Sequence, residues 1–166
     1  MRGPEQGVLR LGEIDFLAAE TLLERLGLRL VMLPPGCPIP GSFWGEPEAG
    51  VIGPFVYARP DTPVHSLLHE ASHLLVAPAS RRARIHTDAS DCLLEEDATC
   101  YLQILLADAL PGVGRERMLA DMDAWGYRFR LGSARAWFEH DAEDARAHLL
   151  RWALIDAEGA LLGPRS

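Results

Sequence analysis

Lysine is missing from this chain. All sixteen basic residues are arginine, a bias of composition rather than a functional signal. Acidic residues outnumber them, 24 to 16, and leave a formal net charge of −8. That balance argues against nucleic acid or an anionic membrane as the main partner. Cysteine is scarce as well. Cys37, Cys92 and Cys100 make an odd number without CxxC spacing, which points to neither a disulfide framework nor a zinc ribbon and suits a reducing compartment. No apolar run approaches the length of a membrane span. Met1 to Gln6 lead into an acidic amphipathic segment rather than an apolar signal region, so a cytoplasmic protein is the expectation. Repeats and low-complexity segments are absent too. What is present is apolar bulk, 48% of 166 residues, enough for a single domain spanning 1–166 with a core of its own. Nothing in these figures fixes an oligomeric state.

Against these absences stands Leu67-Leu68-His69-Glu70-Ala71-Ser72-His73-Leu74-Leu75, an HExxH sequence inside an apolar run. Each helical residue turns the chain by ~100°, so His69 and His73 stand about 40° apart on one face, where two imidazoles can reach one metal ion. Glu70 lies beside them. There it can take a proton from an attacking water without being a ligand, the general-base role of this motif in metal-dependent hydrolysis. Val64, Leu67, Leu68, Ala71, Leu74 and Leu75 fall on the opposite arc, which predicts one core face and one site face. The bland alternative is a buried helix with polar edges.

Two histidines need a third protein ligand if a metal is to be held with a position left open. Asp91-Cys92-Leu93-Leu94-Glu95-Glu96-Asp97-Ala98-Thr99 offers one. Read as a helix, the segment places Leu94, Ala98, Leu102, Leu105 and Leu106 on one stripe with Glu95 near its middle. An unpaired carboxylate there costs several kcal/mol, a cost that coordination to a dication offsets. Glu95 is therefore the expected ligand. Glu96 and Asp97 read as solvated.

The rest of the chain predicts an α+β architecture. Glu13 to Leu26 reads as a helix closed by Gly27, and Leu28 to Leu33 as a strand stopped by Pro34-Pro35-Gly36. Ser42-Phe43-Trp44 and Phe55 to Ala58 are the expected further strands, joined by a turn-rich segment around Glu46 to Gly50. Asp61 or Thr62 is expected to cap the HExxH helix, with Pro63 in its first turn and His65 solvent-exposed near its start. Arg81, Arg82, Arg84 and His86 form either a solvated basic loop or a clamp for an acidic segment or C-terminal carboxylate. Ser90 or Asp91 can cap the next helix, which runs to about Leu110. Helices at Arg115 to Trp125, Ser133 to Glu139 and after a capping Asp141 complete the chain. Tyr127, Arg128, Arg130 and His140 are donors able to steady a developing oxyanion if they reach the cleft.

With these elements in place, Glu13 to Leu110 resembles the ImmA/IrrE-like metallopeptidases: a helix, a strand ending in Pro, an irregular strand pair, then His69-Glu70-Ala71-Ser72-His73 and Glu95-Glu96-Asp97-Ala98-Thr99. The family commonly has Asn or Asp where this chain has Thr99. The resemblance implies a minimal zincin-like domain with a small, mostly antiparallel sheet. It also implies Zn²⁺ on His69, His73 and Glu95, with Glu70 as base and a protein or peptide as substrate. A shorter resemblance, on His69 to His73 followed by Arg81-Arg82, is to elongation factor P hydroxylases, and implies Fe²⁺ on the same residue types. A non-catalytic binding or sensing protein on the same scaffold is the third reading, which an intact Glu70 disfavours.

Overall fold

Asp15 opens the first helix. Its carboxylate accepts the Ala18 amide, and helix α1 runs over Phe16–Arg25, satisfying one of the orphan donors of the first turn. Gly27 follows at φ 81°, the left-handed position a glycine takes after a helix end. The helix begins later than the apolar spacing predicts, because Leu11–Glu13 forms a separate 3-10 turn. In this computed structural model residues 7–42, 45–82, 84–86 and 92–162 are described.

Strands β1 (Arg29–Met32), β2 (Gly50–Ile52) and β3 (Phe55–Ala58) form one sheet in the order β1-β3-β2. β1 runs parallel to β3, and β2 antiparallel to it. The sheet is thus mixed rather than mostly antiparallel. Phe43 and Trp44 of the expected second strand lie outside the described residues. The strand found sits instead where a turn is expected, for a local reason at Gly50. A Cβ on Gly50 would come within 1.9 Å of the Pro40 carbonyl oxygen, so this glycine serves close backbone approach within a strand.

The HExxH segment becomes α2, Val64–Val76. Pro63 occupies its N-cap position at φ −60° and ψ 140° without a side-chain cap. Thr62 and Asp61 do not cap: the Thr62 hydroxyl accepts the Arg59 amide, and Asp61 pairs with the Arg59 guanidinium. All thirteen residues of α2 are buried, so it is a central helix with no solvent face. It packs against β2 and β3 and against two of the helices that follow.

The later helices are α3 (Ala79–Arg82), α4 (Leu93–Ala107), α5 (Gly114–Trp125), α6 (Ala134–His140) and α7 (Glu143–Arg151). Ser90 and Asp91 lie outside the described residues, and α4 starts from Cys92 without a side-chain cap. Gly126 ends α5 at φ 109°, and the Ser133 hydroxyl caps α6. Asp141 does not cap α7; Arg130 holds its carboxylate and Ala142 stands in the cap position. Helix α4 is wedged between α2, α5 and α7, and its partnership with α2 is the most extensive between elements. The result is an α+β fold of seven helices and a three-stranded sheet among the described residues. No helix among them is long and apolar enough to cross a membrane.

Candidate metal centre

Burial of α2 against α4 brings the two histidines onto one carboxylate. His69 Nε2 and His73 Nε2 each lie 2.9 Å from an oxygen of Glu96, and the two rings stand nearly perpendicular with centroids 4.7 Å apart. Contacts of this length need a proton or a cation between the partners. Burial opposes charging of His69, yet Tyr127, Cys100 and Glu96 together hold its imidazole well above the ordinary value. Burial likewise opposes ionisation of Glu96, but hydrogen bonds from His69 and His73 hold its carboxyl well below the usual range. Cys100, one turn beyond Glu96 on α4, completes the cluster. Ligand atoms of His69, Glu96 and Cys100 all lie within 4.8 Å of one another, a group that could hold a metal ion.

The donor chemistry fits a borderline divalent cation, which takes imidazole nitrogen, carboxylate oxygen and thiolate sulfur. The far sides of the rings support the same assignment. Gln103 Nε2 donates to the His65 carbonyl at 2.9 Å, which turns its Oε1 toward His69 Nδ1, also at 2.9 Å. That oxygen can only accept, so the Nδ1 of His69 carries the proton. Thr99 does the equivalent for His73. Its hydroxyl donates to the Glu95 carbonyl at 2.7 Å and stands 3.4 Å from His73 Nδ1. With the hydroxyl proton committed, the oxygen is an acceptor and Nδ1 again the donor. Both Nε2 atoms therefore point forward as the nitrogens available to a ligand, oriented from behind. The Thr99 hydroxyl thus makes an orienting contact like that of Gln103, at longer range.

Glu95 is not the residue that meets the histidines. Its carboxylate pairs with the Arg81 guanidinium on α3. The side chain is indeed the more buried of the two glutamates, 19% exposed against 41% for Glu96. What faces it in the fold is an arginine. The expected helical phase is wrong by one residue, because Ala98 to Ala107 are buried all round α4 and their apolar character cannot mark which face meets α2. The face that does carries Glu96, Thr99, Cys100 and Gln103, spaced i, i+3, i+4 and i+7.

In front of the histidines opens a cavity of about 330 Å³ lined by Glu48, Ser66, His69, Glu70, Glu96, Trp125, Gly126 and Tyr127. Glu70 is buried on its wall. Tyr127, the one expected donor that reaches it, is pushed well above its usual pKa by burial and stays a phenol at neutral pH. Its hydroxyl lies 3.1 Å from His65 Nδ1 and 3.4 Å from Gln103 Nε2. His65 is the reverse of the exposed histidine expected: it is wholly buried and edge-on to Tyr127. Burial, with His69 and Arg10 nearby, depresses its pKa to about 3, so it is neutral and supports the tyrosine instead of ligating.

The remaining candidates lie elsewhere. Arg128 and Arg130 line a second cavity of about 360 Å³ bounded by α4, α6 and α7, where Arg130 pairs with Asp141. His140 is exposed at the end of α6. The basic segment is not a free clamp. Arg81 holds Glu95, Arg82 Nε donates to the Leu74 carbonyl at 2.6 Å, and His86 forms a β-bridge to Ile52. Sequence reasoning missed Glu96, Cys100, Gln103 and Glu48. For the first three the available signal was their common spacing on one face of α4; for Glu48, in an irregular segment, there was none. The chain matches no family model, no curated protein and no solved structure.

Proposed function

We propose that this protein is a metal-dependent hydrolase, with zinc as its metal and a peptide bond as its target. The reading rests on one observation. Both Nε2 atoms of the HExxH histidines converge on Glu96 while Gln103 and Thr99 fix them from behind, with Glu70 buried on the wall of the same cavity. His69, His73 and Glu96 would hold the ion, a gluzincin-type set of two histidines and a glutamate, whereas the resemblance to ImmA/IrrE-like metallopeptidases implies Glu95 in the third place. A dication there supplies Lewis-acid polarisation of the scissile carbonyl.

The chain's own residues do the rest. Glu70 accepts the proton of the attacking water and, on collapse, returns it to the departing amine. Tyr127, held as a neutral phenol, offers a hydrogen bond to the carbonyl oxygen as charge gathers on it. Walls of Trp125 and Tyr127 keep bulk water from the reacting groups. Cys100 favours a second reading. Were its sulfur a permanent fourth ligand, the centre would be closed and structural, as four-ligand protein sites are.

Two variants of the full-length, zinc-loaded protein separate these readings. Glu70→Gln should retain metal but lower peptide cleavage by about 10²–10⁴-fold, the loss typical of a missing general base. Cys100→Ala should keep both metal and cleavage. Loss of metal from Cys100→Ala, with no cleavage by the parent protein, supports the closed site instead.

A further inference from the structure

The cavity holds one more carboxylate than the proposed chemistry uses. Glu96 belongs to the metal set and Glu70 to the base; Glu48 lines the same space, on the segment leading into β2. Among the described residues no arginine lines this space, and the only basic side chain that does is His69. With a dication in place, the charges of Glu96 and Glu70 are balanced and that of Glu48 is left over. Burial and the neighbouring Glu70 push the Glu48 carboxyl upward, and a hydrogen bond from Trp125 opposes them. The indole supplies a dipole, not a charge. A half-buried carboxylate in such surroundings gains by taking a cation from outside.

Its position is firmly built. The adjoining Ala49 amide donates to the buried Ser66 hydroxyl on α2 at 2.9 Å. The Glu48 carbonyl accepts the Ser42 hydroxyl at 3.2 Å, and its amide donates to the Gly45 carbonyl at 3.1 Å. Gly50, pressed on the Pro40 carbonyl, pins the next turn of backbone. This residue is thus carried on a braced segment that borders, with His69, Glu70 and Glu96, a space of about 330 Å³, room for one or two amino-acid residues.

We infer that Glu48 is a specificity-determining residue that receives a primary ammonium group of the substrate, either a free amino terminus or a lysine side chain. The inference rests on the peptidase reading for its substrate class, though not for its binding test. An ammonium fits better than a guanidinium: Trp125 shares this wall of the cavity with Glu48, and an arginine fork seeks both carboxylate oxygens in one open plane, whereas an ammonium needs one.

Binding to the zinc-loaded full-length protein is measured by calorimetry with three probes. Leucinamide carries an α-ammonium, Nα-acetyl-lysinamide an ε-ammonium, and Nα-acetyl-leucinamide neither. At least one ammonium probe should bind roughly tenfold more tightly than the neutral one, and which one does so identifies the source. Glu48→Gln keeps an acceptor for Trp125 and should erase that preference with zinc content unchanged, whereas Glu48→Asp should retain part of it. Equal binding of all three probes, or a preference that survives Glu48→Gln, overturns the assignment. Absence of cleavage on any peptide, with the ammonium preference intact, refutes the peptidase reading and leaves the cation site standing.

Discussion

Helices α2 and α4 face each other across the candidate metal centre, yet they disclose their chemistry in opposite ways. On α2 the two histidines and Glu70 are bound by a spacing that holds wherever the helix packs. On α4 the useful face is defined only by its contact with α2. Ten consecutive residues there are buried, so nothing in the apolar pattern separates the side that meets the histidines from the side that meets α7. Glu95 and Glu96 are adjacent, chemically identical and both in the first turn. One pairs with Arg81 and the other with two imidazoles. Burial identifies a carboxylate that needs a partner; it does not say which partner.

The comparison breaks most completely at α2. His69→Ala or His73→Ala should abolish stoichiometric zinc, because the remaining ligands hold it too weakly. Elemental analysis of dialysed protein checks this, and a full equivalent retained in both variants would remove α2 from the centre.

Smaller effects belong to the orienting residues on α4. Gln103→Leu frees His69 Nδ1 and also strips the His65 carbonyl and Tyr127 of a donor, so zinc affinity should fall by about 10–100-fold. Thr99→Val should cost less, since its contact with His73 is long at 3.4 Å. Competition with a chromophoric chelator ranks the two. The reverse ranking would mean that Thr99, not Gln103, is the firmer brace.

A separate effect, on stability and not on zinc, concerns His65. Its pKa is depressed in the fold, to about 3 from an ordinary 6.5. A neutral buried imidazole contributes its full stability above about pH 6.5, where both folded and unfolded forms are unprotonated. The contribution is lost as pH falls from there toward 3, since the unfolded chain takes up the proton first. Denaturant titrations should show that His65→Gln, compared with the parent protein, flattens this part of the stability profile. An unchanged slope would place the acid sensitivity elsewhere.

What could be read in advance follows the same division. The α+β class, the limits of β1 and β3 and the extent of α2 lie within local pattern, since caps, breakers and periodicity act over a few residues. Position β2 was hidden because Gly50 looks like a turn until Pro40 is placed against it. His65 was misjudged because a polar residue near a helix start is ordinarily exposed, whereas this helix is covered along its whole length. The arginines of α3 read as a loose cluster because their partners, Glu95 and the Leu74 carbonyl, belong to other elements. Errors at the site arose where a side chain's role depends on a neighbour distant in sequence.

The central claim is that Glu96 closes the metal set and Glu95 does not. It is tested most directly by zinc stoichiometry and affinity in Glu96→Gln and Glu95→Gln, prepared and dialysed side by side. Glu96→Gln should lose most of its zinc, while Glu95→Gln keeps about one equivalent and yields only the modest stability of its partly exposed pair with Arg81. Zinc lost from Glu95→Gln and retained by Glu96→Gln would contradict the account.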